Sequence, residues 1–138
     1  MSDPNHTKVF VNGTFDVLHA GHLALLNYAK SLGDYLIVGI DTDERVKEKK
    51  GLSRPVNSKE DRASMLVNLK AVDEVRYFGT DKELENLVKS LQPDIMVVGS
   101  DWKDKSVIGS YHSSKLIFFD RIDEYSTTKI IQSIIDRR

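Results

Sequence analysis

Gly13-Thr14-Phe15-Asp16-Val17-Leu18-His19-Ala20-Gly21-His22 is the stretch whose reading decides the fold. Before it, Lys8-Val9-Phe10-Val11 is a short β-branched run ended by Asn12-Gly13. After it, Leu18, Leu25, Leu26, Ala29 and Leu32 share one helical stripe over Leu18 to Leu32, and Gly33 stops the pattern. The stretch is therefore a turn from a first strand into a first helix. Backbone N–H groups and the positive end of the helix face the sheet's carboxyl edge there, which makes a natural anion site. His19 and His22 share a face of the first helical turn, and Gly21 leaves room for close approach. Two imidazoles beside a phosphate can donate hydrogen bonds to charge developing on it. Taken in isolation, the same spacing also reads as a metal pair or as two partly exposed polar residues.

The pattern continues outward as strand and helix in alternation. Tyr35 to Ile40 is a continuous apolar run, as expected of a parallel strand covered on both faces. Arg45 to Asn57, with Lys47, Lys49, Lys50 and Arg54 and with Gly51 and Pro55 near its end, reads as a mobile basic loop. Ser58 followed by Asp61 resembles a capping box, opening a helix that runs to Asp73. Glu74 to Phe78 reads as a strand, Asp81 to Leu91 as a helix, Pro93 to Gly99 and Lys115 to Phe119 as two further strands. Ser126-Thr127-Thr128 then caps a last helix, Lys129 to Ile135. Such alternation predicts an α/β fold, a single doubly wound, Rossmann-like parallel sheet of five strands. Ligands of these sheets bind at the carboxyl ends of the strands, where the strand order reverses.

Composition sets the outer bounds. With 138 residues the chain reads as one domain spanning 1–138, frayed over 1–6, long enough to bury a core without disulfides. It has no cysteine, which removes thiolate chemistry. Twenty basic residues against 21 acidic give a net charge of −1, and no basic run points to nucleic acid or an anionic membrane. The absence of a long apolar stretch predicts a cytoplasmic protein that does not engage membranes.

The ten residues from Gly13 to His22 match the fingerprint of the H-x-G-H nucleotidyltransferases, a strand followed by G-T-F-D-x-x-H-x-G-H, and the chain resembles that family. The stretches Ala29 to Val38, Asp41 to Glu44, Ala71 to Val75, Gly99 to Trp102 and Ser126 to Ile130 are similar to the bacterial glycerol-3-phosphate cytidylyltransferases. Lys50 to Asn57 and His19 to His22 are similar to the heptose-1-phosphate adenylyltransferase domain. The resemblance implies transfer of a nucleoside monophosphate from a nucleoside triphosphate to a phosphate-bearing small molecule, with release of pyrophosphate. It implies that His19 and His22 contact the triphosphate and that Gly13, Thr14 and Phe15 lie against the nucleotide. Lys50, or else Lys47 or Lys49, would bridge the acceptor phosphate and the α-phosphate, with a solvated charge run as the competing reading. Arg121 stands five residues before Ser126, where the cytidylyltransferases keep a phosphate-binding arginine ahead of a Ser-Thr helix start, so Arg121, Ser126 and Thr127 would meet the β- and γ-phosphates. Glu124 and Tyr125 depart from the family's Gly-Ile at this turn. Arg62 and Asp101 occupy the places of nucleotide-binding residues, or else tie a helix to a loop by a salt bridge. Trp102 would line the acceptor pocket or stack on the base.

Two function classes follow from these residues, an active nucleotidyltransferase and a nucleotide-binding module that has lost catalysis; the intact histidine pair favours the enzyme. Arg121 and Asp101-Trp102 favour CTP and a glycerol-3-phosphate-like polyol, sugar phosphate or phosphonate acceptor, whereas the Gly51 to Asn57 loop favours ATP and a heptose 1-phosphate. Lacking an acidic cluster of ligand spacing, the chain is expected to take Mg²⁺ with the triphosphate rather than in a site of its own. The family resemblance also implies a homodimer.

Overall fold

A computed structural model describes residues 6–120 and 126–138, with Asp101 described through its backbone only. Five strands form one wholly parallel sheet: β1 (Lys8–Gly13), β2 (Tyr35–Asp41), β3 (Glu74–Phe78), β4 (Ile95–Gly99) and β5 (Lys115–Phe119), in the order β3-β2-β1-β4-β5. The helices between them are α1 (Ala20–Ser31), α2 (Asp43–Lys50), α3 (Lys59–Val67) and α4 (Asp81–Leu91), and α5 (Thr127–Asp136) follows β5.

Alternation along the central strands builds two apolar layers. Val9 and Val11 of β1 and Leu36, Val38 and Ile40 of β2 point to the layer that contains Leu26 and Ala29 of α1 and Leu66 of α3. Phe10 and Ile37 point to the opposite layer, with Phe78, Met96 and Leu84 and Val88 of α4. The β1 and β2 apolar runs lack a polar face because both faces are covered. Gly39 is part of this packing: a Cβ there would stand 2.8 Å from the Phe10 ring, so the glycine leaves the space the ring fills.

The strand order turns back at β1, which lies between β2 and β4. The carboxyl ends of β1 and β4 therefore diverge toward different connections and leave a crevice between Gly13 and Gly99.

Strand and helix ends shift by a residue or two in several places, and three differences from the sequence pattern bear on the site. The basic run from Arg45 is not all loop, because Asp43–Lys50 forms α2. Thr42 caps it, Asp43 and Glu44 occupy its first turn and Lys47, Lys49 and Lys50 its last, an arrangement that suits the helix dipole. Its low hydrophobicity hid it, since Arg45 and Val46 are its buried residues. Arg45 bridges Asp81 at 2.7 Å and lies 3.5 Å from Asp41, whose carboxyl is pushed up by burial and pulled back by Arg45. Helix α3 ends at Val67 instead of Asp73, where Asn68 donates its side-chain amide to Ser64 O at 2.7 Å; Ala71 and Val72 stay buried as a turn. Helix α1 starts at Ala20, two residues after Leu18, because His19 is its cap.

Arg62, on α3, is the largest fully buried side chain. Its guanidinium donates to Asn57 O (3.0 Å), Thr14 O (2.9 Å) and Asp43 (2.7 Å), joining α3, the α2–α3 loop, the β1–α1 turn and α2. Replacing it leaves two carbonyls and a carboxylate without their donor. Arg62→Met is expected to lower unfolding free energy by about 3 kcal/mol, measured by urea denaturation.

Candidate active site

The turn that leaves β1 is held under strain. Phe15 (φ 52°) and Val17 (φ 51°) are both left-handed, a conformation that costs a side-chain-bearing residue roughly 1–2 kcal/mol. Asp16 between them is buried, and its carboxylate accepts the N–H of Val56 (2.6 Å) and of Asn57 (3.0 Å). Its carbonyl accepts the Thr127 hydroxyl at 2.6 Å, so the first turn of α5 is fastened to the same point. Phe15 packs its ring into the core beside these bonds. Together with Arg62 on Thr14 O, these contacts fix the path of residues 14–17 from three sides.

The histidines follow from that path. His19 is the N-cap of α1: its Nδ1 accepts the Gly21 N–H at 3.1 Å, while its own N–H is donated to Nδ1 of His22 at 3.2 Å. With both Nδ1 atoms accepting, the ring proton of each is carried on Nε2. The rings stack, centroids 3.8 Å apart and planes 24° from parallel, and Phe15 backs the His22 ring at 5.2 Å. The capping box and the donor pair are thus one structure.

These groups open on a cleft of about 370 Å³ at the reversal point of the sheet, a volume suited to a small-molecule substrate. Its walls include Gly13, Thr14, His19 and His22 on one side, Ser126, Thr127 and Thr128 of the α5 start, Gly99, Trp102 and Phe119 from the ends of β4 and β5, and Lys50 and Arg54. No aspartate or glutamate is among these described residues, so the cleft presents donors and cations to whatever enters.

Of the residues the sequence singled out, Gly13, Thr14, Phe15, His19, His22, Lys50, Trp102, Ser126 and Thr127 meet in this cleft. Lys47 and Lys49 do not line it. Lys50 follows buried Val46 by one helical turn and reaches inward, whereas Lys49 follows Arg45, which faces Asp81. Arg62 is likewise corrected: it is 1% exposed and lies behind the turn with its guanidinium committed, so it supports the β1–α1 turn and is not a wall of the cleft. The backbone of Asp101 lies in the short 3-10 turn Ser100–Trp102, and Arg121 lies outside the described residues. The cleft also contains residues the sequence reading did not assign to it, among them Arg54, Thr128 and Phe119, and it depends on Asp16. The fixed aspartate of the Gly13 to His22 stretch could have signalled Asp16; periodicity carries no signal for Arg54.

A stacked histidine pair at a helix cap, a second helix start and the cations Lys50 and Arg54 around one cleft are the equipment of a nucleotidyltransferase. The chain belongs to the cytidylyltransferase-like family, whose model matches residues 10–133. It is 50% identical over 128 residues to the bifunctional protein HldE of Campylobacter fetus, covering 93% of this chain and 28% of that protein, and 51% identical over 126 residues to HldE of Sulfurimonas denitrificans, covering 91% and 26%. The chain thus spans just over a quarter of the length of these relatives. Among solved structures, a lipopolysaccharide core biosynthesis protein from Thermoplasma volcanium superposes with a TM-score of 0.71 at 25% identity, covering 85% of this chain and 98% of that one. A pantoate-beta-alanine ligase from Francisella tularensis shares the fold, with a TM-score of 0.59 at 17% identity over 94% of this chain and 69% of that one. Among the described residues, no helix is long and apolar enough to cross a membrane.

His19→Ala and His22→Ala should each lower turnover by on the order of a hundredfold to a thousandfold, read as pyrophosphate release at saturating substrates. His19→Ala should also cost about 1 kcal/mol of stability, because it removes the α1 cap. Turnover within threefold of the native enzyme in either variant would remove that histidine from the mechanism.

Proposed function

We propose that this domain transfers AMP from ATP to a heptose 1-phosphate, releasing pyrophosphate. The observation that carries the reading is the Lys50 to Asn57 segment, which is similar to the heptose-1-phosphate adenylyltransferase domain and supplies two of the cleft's cations, Lys50 and Arg54. The near-half identity to HldE proteins over more than nine tenths of the chain supports the same choice. The features favouring CTP were Arg121 and Asp101-Trp102, of which Trp102 lines the cleft and Arg121 lies outside the described residues.

In this reading the triphosphate lies across the β1–α1 turn. The backbone of Gly13 and Thr14 and the starts of α1 and α5 face its oxygens, where oriented N–H groups favour negative charge. His19 and His22 donate from Nε2 to oxygens that gain charge as the α-phosphorus is attacked. An acceptor phosphate is already ionised at neutral pH, so no general base is needed. Lys50 holds the attacking and attacked groups together. Mg²⁺ would come with the triphosphate as part of the substrate, in keeping with the absence of an acidic residue among the described walls of the cleft.

Pyrophosphate release with heptose 1-phosphate should be at least about tenfold more efficient with ATP than with CTP, the margin that one unmatched base hydrogen bond provides. A higher specificity constant for CTP, or for glycerol 3-phosphate as acceptor, would replace this reading with the cytidylyl one.

A further inference from the structure

Arg54 stands apart from the other arginines that the fold draws in. Arg45 is paired with Asp81 and Arg62 with Asp43, each at 2.7 Å. Arg54 is partly buried and lines the cleft, yet its guanidinium makes one hydrogen bond, from Nη2 to the Thr128 hydroxyl at 3.0 Å, and no carboxylate among the described residues neutralises it. A guanidinium drawn into a cleft with no counterion among the described residues is matched to an anion that arrives from solution.

Its backbone is placed with care. Gly51, at φ 102°, turns the chain just after α2, and the Arg54 N–H closes the turn on Gly51 O at 3.2 Å, which brings Lys50 and Arg54 to the same cleft. Two residues further on, Val56 and Asn57 are bonded to the Asp16 carboxylate. The segment that carries Arg54 is thereby tied to the turn that carries the histidines.

We infer that Arg54 binds the phosphate of the acceptor. The inference rests on the acceptor being a phosphomonoester, as the proposed function has it. Such a dianion has three terminal oxygens. The planar fork of arginine holds two of them side by side, which a lysine cannot do. The third directs its lone pair at the α-phosphorus; the new O–P bond forms as the bond from that phosphorus to the β-phosphate bridging oxygen breaks, and pyrophosphate leaves with the electron pair. No proton or further reactant takes part. The start of α1 and the histidines stabilise the group being attacked, while Lys50 and Arg54, both from one turn, steady the attacker.

Steady-state kinetics on the whole chain test this, with heptose 1-phosphate and Mg-ATP varied separately. Arg54→Ala should raise KM for heptose 1-phosphate by roughly thirtyfold or more and leave KM for Mg-ATP within about threefold, and Arg54→Lys should recover only part of the loss. A rise confined to the Mg-ATP KM, or no change in either, would overturn the assignment. A second measurement, titration of inorganic phosphate followed by phosphorus NMR, does not need turnover. Weaker phosphate binding in Arg54→Ala supports the anion site even if heptose 1-phosphate proves to be no substrate, which would instead reject the proposed function. Phosphate binding unchanged from the native protein rejects Arg54.

Discussion

The carboxylate of Asp16 is the constraint on which the site depends. Phe15 and Val17, the left-handed residues on either side of Asp16, would relax if nothing held them, and the relaxed turn would present neither the Gly13 and Thr14 amides nor the α1 cap in the same place. Asp16 is held by charge-assisted bonds to two amides 40 and 41 residues away in sequence, and its own carbonyl receives a hydroxyl from α5. One buried residue thus joins the β1–α1 turn, the α2–α3 loop and the last helix. Those three segments form much of the cleft, so their mutual geometry is set by packing and hydrogen bonds that are complete before any substrate arrives.

Charge is partitioned to the same end. The chain as a whole is nearly neutral, and its other inward-drawn arginines are cancelled locally by Asp43, Asp41 and Asp81. Among the described residues that wall the cleft, none is acidic. A fixed arrangement of donors in a recess is worth more than the same donors in water, because nothing has to reorient as charge moves along the phosphate chain. Nucleotide transfer suits such a site, because a phosphate acceptor brings its own nucleophile.

The sheet and the histidine turn were legible because their signals are local. Uninterrupted apolar runs at Val9 to Val11, Tyr35 to Ile40 and Ile95 to Val98 mark strands covered on both faces, and the Gly13 to His22 fingerprint has one structural context in which it makes sense. What escaped has a physical reason in each case. Helix α2 is stabilised by its cap and its end charges rather than by an apolar stripe, so a hydrophobic pattern reads it as loop. Arg62 and Lys49 are indistinguishable from site residues until burial and helical facing are known. Arg54 reaches Thr128 across 74 residues of chain, and no spacing rule anticipates such a meeting.

The bond from Thr127 to Asp16 spans 111 positions, almost the entire chain. Local pairings of β1 with β2 and the packing of α1 can form while the ribosome is still adding residues, but the β1–α1 turn acquires its bond to α5 only after that helix has emerged. A nascent polypeptide that has already built most of its sheet therefore has an unfinished anion pocket. The cleft is thus a property of the whole domain, α5 included, rather than of the fragment that contains the histidines.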